Sequence, residues 1–100
     1  MKQQPLSLRS KVVVSKGQIS AELSDEVAIL HVGKGVYYGL NEVGTRVWKG
    51  IGEPRSVEEI LEDLLSRYDV EPGQCRRDLF SLLEELIAEG LVDVKHEAAR

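Results

Sequence analysis

The side chains that most often carry chemistry are thinly spread in this chain. Its hydroxyls (Ser7, Ser10, Ser15, Ser20, Ser24, Thr45, Ser56, Ser66 and Ser81) form no nucleophile-elbow pattern. His31 falls in an apolar, strand-like run and His96 near the C-terminus, neither with a spaced Cys, Asp or Glu set for a metal or a triad. Cys75 is single, so no internal disulfide forms. The "GKG" at 33–35 is neither a dinucleotide fingerprint nor a phosphate loop. The acidic groups Glu58, Glu59, Glu62 and Asp63, and again Glu84, Glu85 and Glu89, read as solvated helix faces. The expectation is a protein that is not an enzyme and uses no cofactor and no metal.

The chemistry that remains is recognition, and two stretches invite it. "VYYGL", 36–40, reads as a strand in which Val36, Tyr38 and Leu40 share one face while Tyr37 and Gly39 share the other. In a three-stranded meander it lies at an edge, and between Val36 and Leu40 neither charge nor proline blunts it. Gly39 lets another backbone approach closely. The second stretch is the last helix. With Cys75 at 0° and about 100° per residue, Leu82, Cys75, Leu86 and Leu79 fall within roughly 340° to 40°. Leu83, Ile87, Phe80 and Leu91 fall at roughly 80° to 160°, with Arg76 at the open end of that sector. The apolar arc, about 180° wide, exceeds what one packed surface needs. Either both sectors are core, or Phe80, Leu83 and Ile87 line a groove for a ligand.

The elements that position these stretches follow from pattern. The chain has 100 residues, a 42% apolar fraction and a net charge of −4, which fits one small globular domain. No apolar run is long enough to span a membrane, and "MKQQPLSLRS" lacks a signal-peptide core, so a cytoplasmic protein is expected. Residues 1–10 and 96–100 read as flexible tails around a single domain, 11–95. "KVVVSKGQIS", with its Lys16-Gly17 turn, then "EVAILHV", a three-residue "GKG" loop and "VYYGL" make the first forty residues a small antiparallel sheet.

Asn41 caps a first helix carrying Val43, Val47, Trp48 and Ile51, stopped by Gly50, Gly52 and Pro54. Ser56 and Glu59 form a capping box for a second, with a stripe of Val57, Ile60, Leu61, Leu64, Leu65 and Tyr68. Pro72 opens a third that runs to about Glu89, Gly90 ends it, and "LVDV" adds a short extended tail. The fold class is α+β, winged-helix-like: an N-terminal three-stranded antiparallel sheet followed by three helices.

"GKGVYYGLNEVGTRVWKGI", "SVEEILEDLLSRYDVEPGQCRRDL" and the closing "LLEELIAEGLV" resemble the PqqD-like proteins. More narrowly, they resemble the stand-alone recognition elements for ribosomal precursor peptides found in lasso-peptide biosynthesis. The resemblance spans about residues 12–94. Its most specific pieces are the Tyr37-Tyr38-x-Leu40-Asn41 junction, Gly44, Trp48 and the Leu86…Gly90-Leu91-Val92 ending. It implies a non-catalytic protein that binds a precursor leader peptide as an added strand, in a groove between its third strand and third helix. The implied partners are that leader, a cysteine-type leader peptidase and an ATP-dependent macrocyclase, with no nucleic acid and no membrane.

Carried onto this chain, the pairing strand is Val36, Tyr37, Tyr38, Gly39 and Leu40. The helical wheel, rather than the family, supplies the groove wall as Arg76, Phe80, Leu83 and Ile87. On that basis Phe80→Asp or Ile87→Asp should weaken leader binding far more than folding. The extra "KVVVS" either lengthens the first strand or adds one.

Two rivals remain at this point. One is a DNA-binding winged helix. The segment 41–100 holds eight basic against fourteen acidic residues, whereas 1–40 holds five against three, so the helical part is the acidic part. The other is a structural homodimer joined through the edge strand.

Overall fold

The computed structural model describes residues 6–23 and 26–95. Residues 1–5 of the expected N-terminal tail and the whole expected C-terminal tail, 96–100, lie outside the described residues. The element order is β1 (Lys11–Val14), β2 (Gln18–Leu23), β3 (Glu26–His31), β4 (Val36–Leu40), α1 (Glu42–Gly50), β5 (Arg55–Ser56), α2 (Val57–Arg67), α3 (Pro72–Ala88) and β6 (Val92–Lys95).

Strands β2, β3 and β4 form an antiparallel meander, and the three helices follow it, so the α+β reading holds. The segment "KVVVS" adds a strand, but to a different sheet. β1 pairs with β6 from Lys11↔Lys95 to Val14↔Val92, and on its other side with the two-residue β5. Turn geometry explains the split. Gly17 takes φ +92°, and the chain turns away before β2 begins. The "LVDV" tail is therefore a sheet strand, held by Val12 and Val92, both almost wholly buried.

The hairpin between β3 and β4 is longer than expected. His31 pairs with Val36, so the loop is 32–35 rather than 33–35, and Val32 stands exposed in the turn. His31 O accepts from Lys34 N–H (3.2 Å) and Gly35 N–H (2.8 Å), and Gly35 supplies the positive φ of +67° that the last loop position requires.

The helix ends match their sequence signals. Asn41 Oδ1 accepts from Gly44 N–H at 2.9 Å. Ser56 and Glu59 close a reciprocal capping box at 3.1 Å each way. Glu71 caps α3 with Pro72 in its first turn. At the other end of α3, Gly90 N–H bonds Ile87 O (3.0 Å) and Leu91 N–H bonds Leu86 O (2.9 Å), with Gly90 at φ +78°. That is a Schellman close, and it turns the chain straight into β6.

One core joins the two sheets and three helices. Val27, Ile29 and Leu40 come from the meander, Val47, Trp48 and Ile51 from α1, Val57, Ile60 and Leu64 from α2, and Leu79, Leu83 and Leu86 from α3. Val43, expected on the α1 stripe, is instead 39% exposed. Residues 6–10, expected as part of the N-terminal tail, lie against the domain: Glu58 N–H bonds Leu8 O (3.0 Å) and Val57 N–H bonds Ser10 O (2.9 Å). Between α1 and α2, Asp63 accepts from Arg46 at 3.0 and 3.2 Å and from Arg67 at 3.0 Å. Those guanidiniums, Arg46 foremost, hold its carboxyl down at about 2. Among the described residues, no helix is long and apolar enough to cross a membrane, and no group of side chains could hold a metal ion.

Candidate functional site: an open strand edge beside α3

The strand order β2-β3-β4 leaves β4 with one unpaired edge. Which groups face that edge follows from a buried threonine. Thr45 Oγ1 accepts from Val27 N–H (3.0 Å) and donates to Leu40 O (3.3 Å), so the Val27 amide points to the β4 side. Backbone groups alternate sides along an antiparallel strand. Val27, Ile29 and His31 therefore address β4, and their partners Leu40, Tyr38 and Val36 address them back. Tyr37 and Gly39 are left with N–H and C=O directed outward, where a further strand would pair. Nothing lies within 4 Å of a Cβ built on Gly39, so the sheet face at that residue is open.

The hairpin is pinned to the end of α3 by one carboxylate. Glu89, the C-cap of α3, accepts from Tyr38 Oη at 2.5 Å and from Lys34 Nζ at 3.0 Å. The short Tyr38 contact is the length of a hydrogen bond to an ionised acceptor. Tyr38 and then Lys34 hold the Glu89 carboxyl below its usual range, and Glu89 in turn raises both the Tyr38 phenol and the Lys34 ammonium. Glu85, one turn back, also raises the Tyr38 phenol through its charge. The α3 stripe that faces β4 thus contains Glu85 and Glu89, and the helical period adds Asp78 and Leu82 to it. Burial, aided by Asp78, pushes the Cys75 thiol up, which makes it a poor nucleophile.

The model of the family described as Coenzyme PQQ synthesis protein D (PqqD) matches residues 26–92, from β3 to the start of β6. The chain belongs to the PqqD family. A solved structure described as TbiB1 in complex with the TbiA(beta) leader peptide is 33% identical, covers 87% of this chain and 99% of its own, and superposes with a TM-score of 0.74. A second, described as lasso peptide synthetase B1 complexed with the leader peptide, has a TM-score of 0.73 over 82% of this chain and 96% of its own. At 21% identity it speaks for the fold alone. No curated protein sequence matches the chain.

Within this PqqD domain the site residues anticipated from the sequence separate into three groups. Val36 (44% exposed), Tyr37 (72%) and the exposed Gly39 lie along the open edge, with half-buried Tyr38 facing α3. Leu40 and Leu83 are core residues at 7% and 0% exposure, so neither offers a side chain to a ligand. Leu83 is therefore corrected from groove wall to core.

Arg76, Phe80 and Ile87 sit on the other flank of α3. The buried stripe Leu79, Leu83 and Leu86 separates them from Glu85 and Glu89 by roughly 160° of rotation. Arg76 and Phe80 line a hollow with residues 6–9, not with β4. The structure thus places these two apart from the β4 edge with which the wheel had grouped them. The wheel established how wide the apolar arc is, but nothing in it says which sector meets which strand. Thr45, Asp78, Leu82, Glu85 and Glu89 are the positions it missed. In the sequence Glu89 read only as part of a solvated helix face.

Proposed function

We propose that this PqqD-family chain is a non-catalytic binder of the leader region of a ribosomally made precursor peptide, of the lasso-peptide kind. The observation that carries this reading is the open β4 edge in a domain 33% identical to TbiB1, whose solved structure holds a leader peptide. The leader adds as a strand along Val36–Leu40, taking its main-chain hydrogen bonds from the outward groups of Tyr37 and Gly39. Its alternate side chains fall toward α3, where Leu82 offers apolar surface and Asp78 and Glu85 offer negative charge. The Tyr38–Glu89–Lys34 contacts fix the width of that groove at the hairpin end.

In this reading the chain works in the cytoplasm and presents the leader to a cysteine-type peptidase and an ATP-dependent macrocyclase. A duplex reader is disfavoured: exposed Asp78, Glu84 and Glu85 share α3 with Arg76 and Arg77, so the helix offers no continuous basic face to phosphate. The test is fluorescence anisotropy with the labelled leader of the precursor encoded beside this chain, with the TbiA(beta) leader as reference. Saturable binding that Gly39→Pro weakens at least about tenfold supports strand addition. Binding unaffected by Gly39→Pro, or none to the neighbouring leader, overturns it.

A further inference from the structure

Away from β4, the opposite flank of α3 carries a built hollow of about 800 Å³. One wall is the segment Leu6–Arg9, and the other is α3 from Gly73 to Glu84. Main-chain bonds to the start of α2 tie the first wall down, so the hollow belongs to the folded domain. Leu6, Leu8 and Phe80 pack partly on the core and form an apolar floor. Arg9, Arg76 and Arg77 surround it, against the single carboxylate of Glu84.

These three arginines differ from the cations that are tied to carboxylates. Arg46 and Arg67 both hold Asp63, and Lys34 holds Glu89. Around the hollow, Arg76 lies over the Phe80 ring at 5.7 Å and Arg77 donates only to Gln74 Oε1 at 3.0 Å. Among the described residues, none of the three makes an ion pair. A local excess of positive charge therefore sits over apolar surface in a chain whose net charge is −4.

We propose that this hollow docks an acidic segment of another protein, anchored by an apolar side chain. Guanidiniums match carboxylates in forked geometry, and an arginine held over an aromatic ring is already partly ordered for the purpose. The Leu6, Leu8 and Phe80 floor takes the anchor, which supplies the desolvated centre that docking sites need. A nucleic acid fits poorly. Three arginines neutralise at most about three phosphates, and Asp78 and Glu85 on the same helix repel a longer polyanion. Because the hollow and the β4 edge lie on different flanks, an occupant here leaves the strand edge free. The inference stands apart from the leader-binding reading.

The experiment is an NMR titration of the ¹⁵N-labelled full chain at low salt. The probe is an acetylated, amidated octapeptide of four glutamates, two leucines, one phenylalanine and one glycine. Its control replaces every glutamate with glutamine. Saturable amide shifts are expected at Leu8, Arg9, Arg77, Phe80 and Ser81, with Tyr37 and Gly39 unmoved. The glutamate peptide should bind about fivefold tighter than the control, the scale of a few exposed ion pairs. Combined Arg76→Glu and Arg77→Glu, both at exposed positions, should remove the difference.

Four results each overturn the proposal. They are equal response to the two peptides, no saturation by about 5 mM, shifts centred on 36–40, and an unchanged response in the double variant. Tighter binding of a single-stranded oligonucleotide of matched charge at the same amides also overturns it, in favour of a polyanion.

Discussion

The two flanks of α3 show how one helix is given two neighbours of different kinds. On the β4 side, Glu85 and Glu89 look toward a sheet with an open edge, Asp78 and Leu82 continue the same helical stripe, and a single knot at Glu89 closes the hairpin end. On the other side, Arg76 and Phe80 look toward a short N-terminal segment fastened to α2. Acidic groups collect on one flank and basic groups on the other, with the buried Leu79–Leu83–Leu86 stripe between. A broad apolar arc therefore does not mark one wide binding face. It marks a helix that is core in the middle and partly covered on one side.

The largest effect tests the stripe that divides the flanks. Leu83 is fully buried, so Leu83→Ala should cost about 2–5 kcal/mol, combining lost transfer energy with a residual cavity. Urea unfolding should show a lower midpoint with an unchanged slope. A loss under about 1 kcal/mol would return Leu83 to a solvent-facing groove wall, and the two flanks would merge into one surface.

Next in size is the strand edge alone. Gly39→Pro removes an outward N–H that β3 does not use, at an edge where proline is tolerated and no atom crowds a new Cβ. Leader affinity should fall at least about tenfold, since one main-chain bond is lost and the ring obstructs pairing. Thermal stability should stay close to that of the unaltered chain. Equal losses of binding and stability would instead mean that Gly39 faces β3, reversing the assignment of the edge.

Much of this frame could be read from residue types. Asn41, the Ser56–Glu59 box, Pro72 and Gly90 act through local hydrogen bonding and backbone freedom, so they signal helix ends wherever they occur. The alternation in Val36–Leu40 correctly separated exposed Tyr37 from half-buried Tyr38.

What stayed hidden depends on long-range placement. β1 and β6 are about eighty residues apart, and no local rule says that Val12 and Val14 pair with Val94 and Val92 rather than joining β2. The same limit applies to α3. Which flank of α3 meets β4 is set by the Tyr38–Glu89 contact across fifty-one residues, and periodicity has no access to it. Thr45 escaped notice because a threonine in a helix normally reads as surface, yet here it satisfies a β3 amide.

The Glu89 knot predicts a pH window for the β4 side. Its carboxyl is lowered, so its contribution is complete above the ordinary value of about 4.3 and is lost as pH falls through the lower folded value. Tyr38 and Lys34 are raised, so their contribution is complete below about 10 and is lost as pH rises through their raised values. Carboxyl-carbon NMR should find Glu89 titrating below 4.3, and Tyr38→Phe should move it upward toward that value. Lys34→Met should act in the same direction, because its hydrogen bond and its charge both lower the carboxyl. If neither variant moves Glu89, the hairpin is not tied to α3, and the two flanks lose their distinguishing contact.

The smallest expected effect sharpens the comparison most. Arg76→Ala and Phe80→Asp alter the flank that faces residues 6–9, so leader affinity should change by less than about twofold, within what a site without contact gives. Phe80→Asp should still lower the melting temperature, since the ring packs partly on the core. Glu85→Lys, on the β4 flank, should instead change leader affinity by about twofold to fivefold, and added salt should shrink that change. The sign then reads the leader itself: weaker binding means a basic side chain over Glu85, stronger binding an acidic one. A tenfold loss with Phe80→Asp and none with Glu85→Lys would place the leader on the arginine flank. That peptide could not then be an added strand on β4, because one extended chain cannot pair with that edge and also reach across the buried stripe of α3.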